Sequence, residues 1–209
     1  MTRTGARVSV LDEALVRAGL TRTARSAAPR LPDLPASTRA DILDLYHSLG
    51  GLAPEPLFRP GPWDLSYGEV IVELDEDFHF NRYRALTLLA PFASALPWAV
   101  DYQRHSAEHE QRSGTGGRRW TNPSAERMFG PADAEMVFLS GGAPRWKQRA
   151  LYDAVKDAAA ATGVVRLARL SIYDHVEGVR LEALLRGRAV VTAEALYSFV
   201  AARSSAALT

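Results

Sequence analysis

The segment Val70–Asp75 (VIVELD) constrains this chain more than any other stretch, because it sets two carboxylates, Glu73 and Asp75, into an apolar strand. Side chains alternate along a strand, so Glu73 and Asp75 share one face while Val72 and Leu74 take the other. The flank Val70-Ile71-Val72 marks it as a central strand. Just upstream, Asp64-Leu-Ser-Tyr-Gly-Glu69 can turn the chain back as a hairpin and return Asp64 beside the acidic face. Carboxylates gathered in low dielectric repel one another unless a cation or a proton sits among them.

A chain of 209 residues, 47% hydrophobic and 23% charged, can surround such a strand with one sizeable core. No apolar run approaches the roughly 20 residues that would span a bilayer, and the N-terminal stretch has no apolar signal core. A soluble, cytoplasmic protein without membrane partners is expected. The absence of Cys removes disulfides, thiolate metal sites and thiol nucleophiles together. A net charge of +1 supplies no global field to draw a polyanion, so any nucleic-acid surface must be local. Lys147 and Lys156 are the only lysines, which leaves lysine chemistry two candidates; the remaining positive charge is Arg, suited to phosphate.

Apolar spacing predicts an amphipathic helix over 8–20 and a linker over 21–36. A second helix, opened by Ser37, runs to Leu49 and stops at Gly50-Gly51. A hairpin over 63–76 follows, then helices over 78–93 and 98–112, a mobile loop over 113–117 and a short strand over Glu135–Ser140. A long helix over 145–161 ends at Gly163 and leads into a strand over 164–173. Two helical stretches, 175–187 and 192–203, complete the chain. The expected organisation is an N-terminal helix and linker over 1–36 and an α/β domain over 37–209, with a partly helical insertion around 98–140.

Asp64, Glu73 and the main-chain carbonyl of Leu74 form a plausible partial shell for Mg²⁺ or Mn²⁺, an ion that binds a phosphate oxygen and acidifies an attacking water. His79, four residues past Asp75, can activate water or protonate a leaving oxygen. The competing interpretation is a solvated acidic strand end with His79 packed on Tyr83. Asp41 and Asp44 on the preceding helix could add an acid, or simply complement the helix dipole. Arg82, Arg118, Arg119, Arg145, Lys147 and Arg149, interleaved with Trp120 and Trp146, are candidate phosphate and base contacts. The alternative is a solvated face for the charges and a core role for each Trp.

Pro62-x-Asp64, a short hairpin, two apolar residues, Glu73-x-Asp75 and then His79 resemble the PD-(D/E)XK restriction-endonuclease-like superfamily, in particular the branch around very-short-patch-repair endonucleases. The charged helix segment Asp153-Ala-Val-Lys156-Asp157 and the following Gly163-Val-Val-Arg166 are similar to that branch too, and the resemblance covers roughly half the chain. It implies a restriction-endonuclease-like α/β core with a small mixed central sheet flanked by helices. It also implies Asp64 and Glu73 as metal carboxylates, His79 as catalytic, and metal-dependent phosphodiester hydrolysis of nucleic acid, with DNA as the expected substrate. One departure stands out: Asp75 occupies the position where the superfamily's signature usually has Lys. A non-cleaving relative that binds nucleic acid or a protein is therefore the alternative. A rival motif, His105-Ser-Ala-Glu108-His109, fits H-x-x-E-H, in which both His could ligate Zn²⁺ on one helix face with Glu177 or Glu182 as a further ligand. His47 and His175 are isolated and are read as structural.

Overall fold

The computed structural model describes residues 5–205. Its centre is a three-stranded mixed sheet in the order β1-β2-β3, where β1 is Leu65–Tyr67, β2 is Val70–Asp75 and β3 is Arg166–Ser171. The hairpin turns through Tyr67-Gly68-Glu69-Val70, with Gly68 at φ 54°, and pairs Leu65 with Val72 and Tyr67 with Val70. β3 then lies parallel to β2, aligning Val70 with Arg166, Glu73 with Arg169 and Asp75 with Ser171. With neighbours on both sides, β2 is the central strand its apolar flank predicts, and it is buried from Ile71 to Asp75. The sheet's outer edges carry single bridges, Arg22 to Tyr67 and Ala168 to Ser204.

Parallel pairing needs a crossover, and its principal element is α6 (Pro144–Ala161), an 18-residue helix. Pro144 at its first position has the fixed φ a helix start wants, and Gly163 beyond its end takes φ 73°. α6 packs as a middle layer. One side shares an apolar cluster with α2 (Ala36–Ser48), in which Ile42, Leu45 and Tyr46 join Leu151, Ala154, Val155 and Ala158. The other side turns its charged residues toward β2 and β3. α2 begins at Ala36 behind Pro35, so Ser37 lies inside the helix rather than capping it.

The N-terminal helix α1 (Ala6–Arg17) buries Leu11 and Leu15 in the same cluster as the sheet, together with the C-terminal helix α8 (Ala193–Ala202). The helix expected over 78–93 is divided: a 3-10 turn at Asp77–His79, then α3 (Arg82–Thr87) capped by the Asn81 side chain, then a second 3-10 turn at Pro91–Ala95. α4 (Ala99–His109) follows, and its Trp98 entry and Tyr102 are fully buried, so the first part of the expected insertion packs into the core. α5 (Pro123–Phe129) is the only α-helix between Gly114 and Ala143.

Two expectations are corrected. Glu135–Ser140 is not a strand: Met136, Val137 and Leu139 are exposed and the segment finds no pairing partner among the described residues. A short apolar run forms a strand only when a sheet edge is there to accept it. The stretch 175–187 is not continuously helical either. It opens with the two-stranded hairpin β4 (His175–Val176) and β5 (Val179–Arg180), and only then forms α7 (Leu181–Leu185). Glu177 and Gly178 both take positive φ, 51° and 76°, which is the mirror-image turn that matches strand twist.

Candidate active site

The acids of β2 are compensated from α6. Along that helix Arg145, Arg149, Asp153, Lys156 and Asp157 recur at helical spacing and form one charged stripe. The Lys156 ammonium donates to Glu73 Oε2 at 2.8 Å and to the Pro62 carbonyl at 3.2 Å. Glu73 Oε1 accepts from the Asp64 main-chain N–H at 2.9 Å, while Asp64 Oδ2 accepts from the Leu74 N–H at 3.0 Å. The hairpin therefore locks the two carboxylates beside each other, as the alternation predicts. Glu73 is only 4% exposed, whereas Asp64 is half-buried. Burial pushes the Glu73 carboxyl up to about 7; Lys156 pulls it down and the neighbouring Asp64 pushes it further up.

Asp75 belongs to a second cluster. It is completely buried, and Arg169 of β3 grips both its oxygens at 2.7 Å while Tyr102 donates to Oδ2 at 2.8 Å. The same guanidinium reaches Asp153 Oδ1 and Asp157 Oδ1, each at 3.0 Å, and Arg84 lies 2.6 Å from Asp157 Oδ2. His79 Nδ1 faces Asp153 Oδ2 at 2.8 Å and Asp75 Oδ1 at 2.9 Å. Three carboxylates thus meet two guanidinium groups and an imidazole. Burial alone would raise Asp75 and Asp153, but Arg169 and His79 hold both well below the usual carboxylate range.

Asp75, His79 and Asp153 place ligand-type atoms within 4.8 Å of one another. They do not fit a divalent ion, because Arg169 already occupies the position between the carboxylates from which an ion would bind. Asp75 accordingly lies enclosed behind His79, with no exposed surface of its own. Asp64 and Glu73 do fit a hard cation: both are oxygen donors, adjacent, and the raised Glu73 carboxyl marks a place where more positive charge is favourable.

His79 is oriented like a general acid or base. Two carboxylates fix Nδ1 as the donor, which turns Nε2 toward Arg149 Nη1 at 2.9 Å. Burial would lower the His79 pKa, yet Asp153 and Asp75 together raise it above the ordinary value, with Arg149 opposing them. A proton on Nε2 would set N–H against N–H, so protonation of His79 and departure of Arg149 are linked.

Around this imidazole the structure gathers part of the expected basic patch. Arg119, Arg145 and Arg149 stand over the Phe78 ring at 5.8, 5.8 and 4.7 Å. Arg149 Nε is buried with no hydrogen-bond partner among the described residues. Arg118 is exposed on the same loop. The remaining candidates do not join. Arg82 is spent on Glu110, at 2.8 Å, and on the Phe138 ring. Lys147 is 5% exposed beneath Tyr83 and Phe129, so it is a core residue and not a phosphate contact. Trp120 and Trp146 pack edge-to-face at 5.2 Å, also as core. Asp44 is exposed and Asp41 half-buried on α2, and neither bonds to the acidic cluster among the described residues.

Of the rival motif, His105, Glu108 and His109 do come within 4.8 Å. Glu177 and Glu182 do not complete the set, since Glu177 accepts from Thr192 and Glu182 pairs with Arg186 and Arg7. His105 Nε2 is held by Asp174 at 3.2 Å, and Asp174 is shared with Arg203.

A family model spans residues 44–187, more than half the chain and every residue of both clusters. The chain belongs to the family of unknown function DUF7255. No curated protein and no solved structure matches it. In this DUF7255 chain local reading notes the charged segment of α6 but does not join it to the acids of β2, and it passes over Arg169 of β3. Lys156, Asp153 and Asp157 carry one signal in the sequence, a charged stripe on a helix otherwise rich in Ala and buried almost throughout, and Arg169 is a charge set between apolar residues in the strand that follows.

Proposed function

We propose that this DUF7255 protein is a metal-dependent phosphodiesterase of the nuclease type, acting on nucleic acid, with DNA as the expected substrate. One observation carries the reading: Lys156 delivers an ammonium to Glu73 beside Asp64, so two carboxylates and a lysine meet at one end of a hairpin whose second strand pairs in parallel with a strand beyond a helix. The chain has Asp75 where the PD-(D/E)XK signature has Lys, and α6 supplies the missing charge to the same carboxylate. The order helix, hairpin, helix, parallel strand is also that of the restriction-endonuclease-like core the motif resembles.

Asp64 and Glu73 would hold Mg²⁺ or Mn²⁺, which supplies phosphate polarisation and an acidified water. The rest is done by the chain's own side chains. Arg119, Arg145 and Arg149 offer guanidinium forks for the non-bridging oxygens of a phosphodiester. Phe78 offers a ring to an adjacent base. His79 Nε2, released when Arg149 turns to the phosphate, exchanges a proton with the attacking water or the leaving oxygen, and Asp153 and Asp75 steady its charge.

A second reading, a scaffold that binds nucleic acid without cutting it, is favoured by the burial of Glu73 and the engagement of both its oxygens. Cleavage of plasmid and single-stranded DNA with Mg²⁺ or Mn²⁺ separates the two. Cutting by the wild type, reduced about 10²-fold or more in Asp64→Ala, Glu73→Ala and His79→Ala, is the expected result. Absence of cutting together with DNA binding indifferent to metal would establish the scaffold.

A further inference from the structure

Apart from the residues of this site, a cavity of about 280 Å³ is lined by Arg112, Arg180, Glu182, Ala183, Arg186 and Arg188. Four of its six lining residues are arginines. Glu182, the one acid, is committed to Arg186 at 2.7 Å and to Arg7 at 3.6 Å. Arg112, Arg180 and Arg188 form no ion pair among the described residues, so the cavity keeps three uncompensated positive charges. Arg180 is held on β5 with its guanidinium 4.7 Å above the Tyr173 ring, and its Nε and Nη2 are buried without a hydrogen-bond partner among the described residues. Arg112 approaches the same ring at 6.0 Å.

Guanidinium charges gathered in one cavity without acids to pair them repel one another, and an incoming oxyanion compensates them. We propose that this cavity is a binding site for a phosphate-bearing anion, with Arg180 as its central fork and Arg112 and Arg188 closing on either side. Planar guanidinium groups meet phosphate oxygens in pairs. At about 30 Å³ per water, the space exceeds what one small ion fills and suits a diphosphate or a phosphate with its attached sugar. A cation is disfavoured for the same reason an anion is favoured. His109, tilted against Tyr173 with ring centroids 3.8 Å apart, has its pKa lowered by burial and then by Arg180, His105 and Arg112, and the two arginines among these also oppose a zinc ion at the neighbouring His105–Glu108–His109 group.

The site does not rest on the Asp64–Glu73 reading, because none of its residues belongs to that cluster. Two sources share the ligand chemistry: a free phosphorylated small molecule and a phosphate of nucleic acid. Calorimetric titration of the full chain with pyrophosphate, and separately with a 5′-phosphorylated and a 5′-hydroxyl oligonucleotide, distinguishes them. Saturable binding of pyrophosphate assigns a small ligand. Binding of the phosphorylated oligonucleotide alone, with the hydroxyl form at least tenfold weaker, assigns a nucleic-acid end. Arg180→Gln should weaken whichever probe binds at least tenfold. Arg188→Gln, an exposed position that cannot unfold the chain, should weaken it severalfold, and Arg59→Gln, which removes the same charge elsewhere, should leave it unchanged. No saturable binding of any probe, or equal weakening by Arg59→Gln and Arg188→Gln, overturns the proposal.

Discussion

At the scale of single residues, the distinguishing property of this protein is how many charges it buries and how closely it pairs them. Arg169, wholly buried, is surrounded by Asp75, Asp153 and Asp157, and its own charge is held firmly by them against the pull of burial. Removing one partner of such a group strands the others in low dielectric. Arg169→Met should therefore destabilise the fold by about 3–5 kcal/mol in urea unfolding. Arg169→Lys should recover little, because a single ammonium cannot reach three carboxylates. Glu73 and His79 make a paired prediction in pH. The folded Glu73 carboxyl sits at about 7 against 4.5 when unfolded, so the native state binds the extra proton in between, and its contribution to stability falls as pH rises through that window, by about 3 kcal/mol in all. His79, raised above its ordinary 6.5, contributes stability that is full below 6.5 and lost as pH climbs through its folded value. Unfolding curves across pH 4.5–8 should show Glu73→Gln losing the lower part of this decline and His79→Gln the upper part. A decline identical in wild type and both variants would contradict the assignment.

At the scale of elements, α6 is the component on which the site depends. It starts tightly. Gly142 lies at φ 56°, and a Cβ there would run into the Tyr83 hydroxyl. Gly142→Ala should cost about 1–3 kcal/mol, read from the urea midpoint, and should disturb the register of the charged stripe that begins three residues later. The stripe itself was legible in part. Spacing places Asp153, Lys156 and Asp157 on one helix, but helical periodicity treats a charged stripe as the solvent side. Here that side faces the sheet, and the apolar side faces α2, so the helix is covered on both. The hairpin at 175–180 was missed for a different reason: Glu-Gly is a weaker turn signal than Asn-Gly, and two-residue strands leave no periodicity to count.

At the scale of the whole molecule, the first and last described helices, α1 and α8, close around one apolar cluster. Leu11 and Leu15 of α1 are 0% exposed and share a cluster with β2, β3, α7 and α8. Leu15→Ala should cost about 2–5 kcal/mol, checked by thermal and urea unfolding, even though it lies some 50 residues before the site. The candidate site should melt with that core, since α8 and α1 support the sheet whose far face carries Glu73 and Asp75. Among the described residues no helix is long and apolar enough to cross a membrane, in keeping with a chain whose apolar residues converge inward.

Local pattern alone determined that β2 is a central strand with two acids on one face, that a hairpin brings Asp64 to Glu73, and that a long helix precedes β3. Each of these follows from a period of two or 3.6 residues within a short window, and sterics enforce those periods wherever the segment lies. Only the tertiary structure decided which cations answer the acids. Lys156 lies 83 residues from Glu73, and Arg169 lies 94 from Asp75. Any of 25 Lys and Arg residues could have served as far as local pattern shows. The choice is made by the parallel register that sets Arg169 beside Glu73 and by the packing of α6 across the strands. It is also what separated Asp75 from Asp64 and Glu73: the carboxylate on the same face met a guanidinium, and the other pair met a lysine and a more open strand end.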